Sequence, residues 1–204
     1  MLNEWCAWLE AHGTSCAELA GSLILAVNVY LVTRENIWNW PVAIVGSAFY
    51  IVVFSGAGLY SDMGLQVVYI VLSFYGWYHW LRGGTHNQSL SVTRTSAREA
   101  GWLLVAAVIG WTIMFGITHN IAGVALPKLD AALVAASLAA QWMMTRKLLE
   151  SWVVWIVVDV AYIGTFIYKH LNVTAGLYFV FLILSILGYI EWTRSFARTS
   201  RASS

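Results

Sequence analysis

The chain has 204 residues, 60% hydrophobic and 10% charged, with a formal net charge of +1. A soluble domain would carry about 25% charged residues, so the bilayer is the natural solvent for this chain. No basic stripe, zinc-ligand spacing or glycine-rich phosphate loop is present, which argues against a nucleic-acid partner and calls for no cofactor.

The first segment, 1–14, contains Glu4 and Glu10 and no basic residue, so it lacks the n-region of a signal peptide. It reads as an extracellular interfacial segment with Trp5 and Trp8 at headgroup level. Cys6 and Cys16 are the only cysteines. They read as small apolar residues in packing contacts, with a disulfide between them as the second reading.

Apolar runs of about 20 residues follow, each long enough to cross the bilayer as a helix. They cover 15–33, 37–57, 63–82, 99–119, 128–147, 151–170 and 173–193. The segment 83–98 is the only long loop between them. Arg34, Arg82, Arg94, Arg98, Arg146, Lys147, Arg194, Arg198 and Arg201 fall on one side, and Lys128 and Lys169 on the other. This asymmetry places the N-terminus outside and the C-terminus in the cytoplasm, as in a multi-pass protein of a bacterial inner membrane.

The chain aligns with itself, without a gap, at a shift of 112 residues. Trp40 meets Trp152, Tyr50 meets Tyr162, Phe54 meets Phe166, Ser73 meets Ser185, Gly76 meets Gly188 and Trp80 meets Trp192. Thr33-Arg34 likewise meets Thr145-Arg146. Matches in Trp, Tyr, Phe and Gly separate a true repeat from two helices that share only Leu and Val. The expected fold is an all-α integral membrane protein with seven transmembrane helices in a 3+1+3 arrangement. The first three-helix repeat spans 15–82, a loop and linker helix span 83–127, the second repeat spans 128–193, and a cytoplasmic tail spans 194–204. An even number of helices separates equivalent positions, so the two repeats are parallel. Transporters built on parallel repeats place the substrate near the midplane between them.

One face of the sixth helix carries Trp152, Trp155, Asp159, Tyr162 and Phe166 at spacings of 3, 4, 3 and 4. The second helix presents Trp40, Ala43, Ser47, Tyr50 and Phe54 in the same way. Gln66, Tyr69 and Ser73 in the third helix, and Tyr178, Phe181 and Ser185 in the seventh, add to this surface. Asn28 and Gln141 are polar points in the first and fifth. Aromatic faces can stack on a flat ring and attract a cation, and a carboxylate suits a cationic solute.

Other roles compete for these residues. Trp38, Trp77, Trp80 and Trp192 lie near span ends and read as interfacial anchors. Ser73, Ser185, Gly76 and Gly188 read as residues that permit close helix packing. Asn28 and Gln141 can bond across helices, and Tyr50 and Tyr162 can pack in a core. Asp159 is different, because a mid-membrane acid costs about 2.5–3.5 kcal/mol on insertion scales and marks a functional site by default.

The stretches GLYSDMGLQVVYIVLSFYGWYHW at 58–80 and TRKLLESWVVWIVVDVAYIG at 145–164 resemble the Pnu family of vitamin transporters, nicotinamide riboside carriers among them. The resemblance spans all seven helices. It implies a fold similar to the SWEET sugar transporters. It also implies uptake of nicotinamide riboside by facilitated diffusion, with phosphorylation by a cytoplasmic vitamin kinase trapping the substrate. It implies that Trp152, Trp155 and position 159 contact the substrate with Gln66 nearby, and that the protein is a homotrimer. Relatives carry thiamine, riboflavin or deoxynucleosides, which makes thiamine, a flat cation, the first alternative.

Two other classes fit less well. A retinal protein needs a mid-membrane lysine, and Lys128, Lys147 and Lys169 sit at span ends. An intramembrane enzyme needs partners for Asp159, yet Asp62 and Asp130 lie at span ends and no Ser–His pair or HExxH occurs.

Overall fold

The computed structural model describes residues 16–56, 60–84, 89–118, 126–168 and 172–202. The interfacial segment with Trp5 and Trp8, Lys169, and His12, His86, His119 and His170 lie outside the described residues, as does the side chain of Phe54.

Among the described residues seven helices follow one another: α1 Cys16–Thr33, α2 Asn39–Gly56, α3 Tyr60–Arg82, α4 Ala97–Thr118, α5 Pro127–Thr145, α6 Ser151–Tyr168 and α7 Asn172–Ala202. The expected spans sit on these helices to within a few residues, except at the end. There, α7 runs on through residues expected to form a tail. The reason is local: no Gly or Pro follows Gly188 to stop it. Three stretches, Ala97–Ile117, Ser151–Tyr168 and Thr174–Arg201, are long and apolar enough on their own to cross a membrane. The large apolar side chains on the outside, such as Leu104, Val157 and Phe179, belong against lipid.

Packing follows chain order within each half. α1 packs on α2 and α2 on α3, while α5 packs on α6 and α6 on α7. The halves meet where α1 touches α7 and α3 touches α5. α4 lies outside this ring against α5, fixed by the Trp111 indole donating to Lys128 O at 3.1 Å. A capping box of Ser96 and Glu99 starts α4, with Glu99 N donating to Ser96 Oγ at 3.2 Å and Ser96 N to Glu99 Oε2 at 3.0 Å.

The ends of α1 and α5 are built alike. Thr33 Oγ1 donates to Tyr30 O at 2.7 Å, and Thr145 Oγ1 to Trp142 O at 2.6 Å. Glu35 (φ 51°) and Lys147 (φ 50°) then turn the chain in the left-handed region, which is strained for residues with a Cβ. These two residues are 112 apart, and Lys147 Nζ meets Glu35 Oε2 at 2.7 Å. The repeat therefore bonds to itself across the join.

At this basic end four tryptophans pack together. Trp40 and Trp80 lie edge to face at 5.2 Å, Trp152 and Trp192 at 5.4 Å, and Trp80 meets Trp192 at 5.9 Å. Trp80 Nε1 donates to Met144 O at 3.0 Å, and Trp192 Nε1 to Val32 O at 3.1 Å. Each bond crosses from one half to the other. Trp80 and Trp192 are therefore buried, contrary to the expectation of interfacial anchors, whereas Trp38 is 65% exposed and fits that role. Lys147 Nζ also lies 4.5 Å from the Trp80 ring centre.

The long loop is not idle. Leu90 N donates to Trp80 O, Thr93 pairs with the 147–149 backbone, and Thr95 N and Oγ1 both donate to Glu150 Oε2. Val92 joins the tryptophan cluster, so the loop covers the basic end. At the opposite end, Cys16 is disulfide-bonded, which overturns the reading of the cysteines as packing residues. Cys6 lies outside the described residues.

Candidate functional site

A cavity of about 300 Å³ lies between the halves. α4 contributes none of its lining, and each of the other six helices does. Asn28 comes from α1, Trp40 and Ser47 from α2, and Gln66 and Tyr69 from α3. Gln141 comes from α5, Trp152, Trp155, Asp159 and Tyr162 from α6, and Tyr178 from α7.

The floor, at the basic end, is Trp40 and Trp152, each 1% exposed. Their positions depend on glycines one helix away. A Cβ on Gly76 would fall 2.3 Å from the Trp40 ring, and one on Gly188 would fall 2.5 Å from the Trp152 ring. The expected packing role of these glycines thus has a specific partner, the indole. The far end is aromatic: the Tyr162 and Tyr178 rings are 4.8 Å apart, Phe166 stacks on Tyr162, and Phe181 meets Tyr178 edge to face.

Asp159 sits midway along α6, 4% exposed. Ser185 Oγ donates to its Oδ2 at 2.8 Å. The equivalent serine in the first half, Ser73, donates instead to Tyr69 O of its own helix at 2.7 Å. The difference follows from position 47, where Ser stands in place of a carboxylate. Equivalent positions thus line the cavity with a carboxylate in one half and a hydroxyl in the other. A carboxylate has about four acceptor sites, so one serine leaves it able to meet a cation.

Two expected residues behave differently. Tyr50 does not line the cavity, because its ring lies against α1, where a Cβ on Gly21 would be 2.6 Å away. The equivalent of Gly21 in α5 is the buried Leu133. Position 133 thus offers no glycine to a ring, and Tyr162 lies against Tyr178. Asn28 lines the cavity but also donates to Asn39 O at 2.6 Å, so part of its bonding capacity ties α1 to α2.

Sequence reasoning missed Ser137, Met144 and Asn39, which also line the cavity. Ser137 and Met144 were detectable, since they lie four residues before and three after Gln141 on one face of α5. Asn39 had no signal, because it looks like an ordinary helix-start residue. Among the described residues no cluster of His, Cys, Asp and Glu could hold a metal ion.

The model of a family described as the nicotinamide mononucleotide transporter matches residues 15–194. The nicotinamide riboside transporter PnuC of Neisseria mucosa is 29% identical over 184 residues, covering 84% of this chain and 70% of that protein. The riboflavin/roseoflavin transporter RibM of Streptomyces davaonensis is 24% identical over 193 residues, covering 91% and 88%. A crystal structure of the vitamin B3 transporter PnuC superimposes with a TM-score of 0.67 at 26% identity, covering 89% of this chain and 82% of that one.

Proposed function

The chain belongs to the nicotinamide mononucleotide transporter family, and from that membership we propose that its cargo is nicotinamide riboside, taken up across a bacterial inner membrane. It is a multi-pass membrane transporter and not an enzyme. The observation that carries the cargo assignment is the buried, serine-held Asp159 in an aromatic cavity. Nicotinamide riboside is a flat cation with a sugar. Aromatic faces take its ring, Asp159 meets its charge, and the amides of Gln66, Gln141 and Asn28 are in reach of polar edges. A mononucleotide would bring a phosphate, yet no Lys or Arg is among the described cavity residues. That favours the riboside.

Thiamine is the second reading, because its thiazolium is also flat and cationic. Riboflavin, suggested by the RibM relative, has no cationic ring for Asp159 to meet.

We take the two halves as parallel three-helix repeats with α4 as linker, working by alternating access as one half rocks against the other. The basic end faces the cytoplasm, in line with the basic-residue asymmetry. The disulfide of Cys16 at the other end accords with an oxidising outer compartment. Facilitated diffusion is the mode of transport that the family resemblance implies. Net uptake then depends on a cytoplasmic kinase that traps the riboside. A homotrimer with one pathway per protomer is the assembly that the family resemblance implies.

The test is a calorimetric screen of purified protein against nicotinamide riboside, thiamine, riboflavin and deoxynucleosides. Tightest binding of nicotinamide riboside is expected. Tighter binding of thiamine would reassign the cargo.

A further inference from the structure

α7 is 31 residues long, about 46 Å, whereas the hydrocarbon core of a bilayer is about 30 Å thick. Its last turns therefore pass beyond the lipid tails at the basic end. One side of the helix packs inward, where Trp192 is buried and Phe196 lies against the tryptophan cluster. The opposite side carries Ile183, Leu187 and Ile190, all exposed, at the depth of the tails. Spacings of 4, 4 and 3 continue the same stripe as Arg194, Arg198 and Arg201, which are exposed too. The lipid-facing stripe thus changes from apolar to basic within about one turn, where tails give way to headgroups.

This feature is not a by-product of the repeat. α3, the equivalent of α7, stops at Arg82, and Gly83 and Gly84 stand where α7 has Ser195 and Phe196. His86 and Ser89 stand where the second half has Arg198 and Arg201. Nor do acidic side chains neutralise the stripe. Glu191 Oε1 meets Arg194 at 3.3 Å and Arg34 at 4.0 Å, and among the described residues no carboxylate pairs with Arg198. Like charges at i and i+4 destabilise a helix, so the stripe calls for anions from outside the chain.

We propose that Arg194, Arg198 and Arg201 bind the phosphate groups of anionic lipids in the leaflet at the basic end, and so fix the end of α7 to the membrane surface. A guanidinium fork matches a phosphate with two parallel hydrogen bonds. The occupant is a lipid rather than a soluble anion, because the stripe continues the one that faces the tails. A single lipid meets Ile190 with its chain and an arginine with its phosphate. The anchor belongs to the half with Asp159, and the first half keeps only Arg82 of the three arginines.

For the test, the full purified chain is held on beads in detergent with equal amounts of phosphatidylglycerol and phosphatidylcholine, and the retained lipids are quantified. Wild type should retain phosphatidylglycerol in preference. One arginine near an anionic surface contributes about five-fold in affinity. Arg198→Gln should cut the preference by about that factor, substitution of all three arginines by Gln should cut it further, and Arg198→Lys should keep most of it. Lys128→Gln, at the other end, removes the same charge and should change nothing. Wild type in about 1 M salt, where fields die away within roughly 3 Å, should also lose the preference, an arm that needs no variant to fold. Equal retention of both lipids by wild type overturns the proposal. So does a preference that survives the triple substitution or the salt, or one that Lys128→Gln reduces as much as Arg198→Gln does.

Discussion

A carboxylate in the middle of an apolar helix must be supported by its surroundings. Asp159 receives the Ser185 hydroxyl and lines the cavity between the halves. Replacing Asp159 with Asn keeps an acceptor for Ser185 and removes the charge. Binding of a cationic cargo should then weaken by about 10- to 100-fold, while a neutral isostere keeps its affinity. Titration calorimetry with both ligands reads this directly, and equal losses for both would remove Asp159 from charge recognition. The floor gives a second prediction. Gly188→Ala would drive a methyl into Trp152, and overpacking of this kind costs about 1–3 kcal/mol. The variant should melt at a lower temperature in detergent and bind cargo more weakly. Gly64→Ala should do neither, since nothing lies near that position.

Among the elements, the two turns that end α1 and α5 matter most. Each holds a side-chain-bearing residue at positive φ, and the ion pair between Glu35 and Lys147 ties the turns together. The Lys147 side chain is 7% exposed and that of Glu35 is 26%, so solvent screens this pair less than a surface one. A double-mutant cycle with Glu35→Gln and Lys147→Met should show a coupling of about 1–3 kcal/mol in unfolding free energy. Additive effects would mean that the strained turns are held by their backbone bonds alone. Much at this scale was legible. The helices follow from apolar runs, and the repeat from matched Trp, Tyr and Gly. The sealing role of the loop was hidden, because Val92 and Thr93 find their partners around Trp80 and Lys147, far away in sequence.

For the whole molecule, the halves touch through α1 with α7 and through α3 with α5. The crossing bonds from Trp80 and Trp192 lie at those joints. If the halves rock apart at the basic end, as proposed, these bonds and the Glu35–Lys147 pair have to separate. Trp192→Phe keeps an aromatic ring but removes one crossing bond, a change of about 1 kcal/mol. A cysteine at Ser137, inside the cavity, should then react about five-fold faster with an impermeant thiol reagent supplied at the basic end. An unchanged rate would place the gate elsewhere.

The sequence by itself determined the solvent, the helices, the internal repeat and the lone carboxylate, because each is a property of composition or of spacing along one chain. Tertiary structure alone decided which aromatic residues do what. Trp80 and Trp192 look like membrane-belt anchors until the two halves close over them. Tyr50 and Tyr162 match in sequence but part in space: the Tyr50 ring lies against Gly21 on α1, whereas Tyr162 packs on Tyr178 and lines the cavity. Burial and hydrogen bonding depend on neighbours brought in from distant segments, and no local period carries that information.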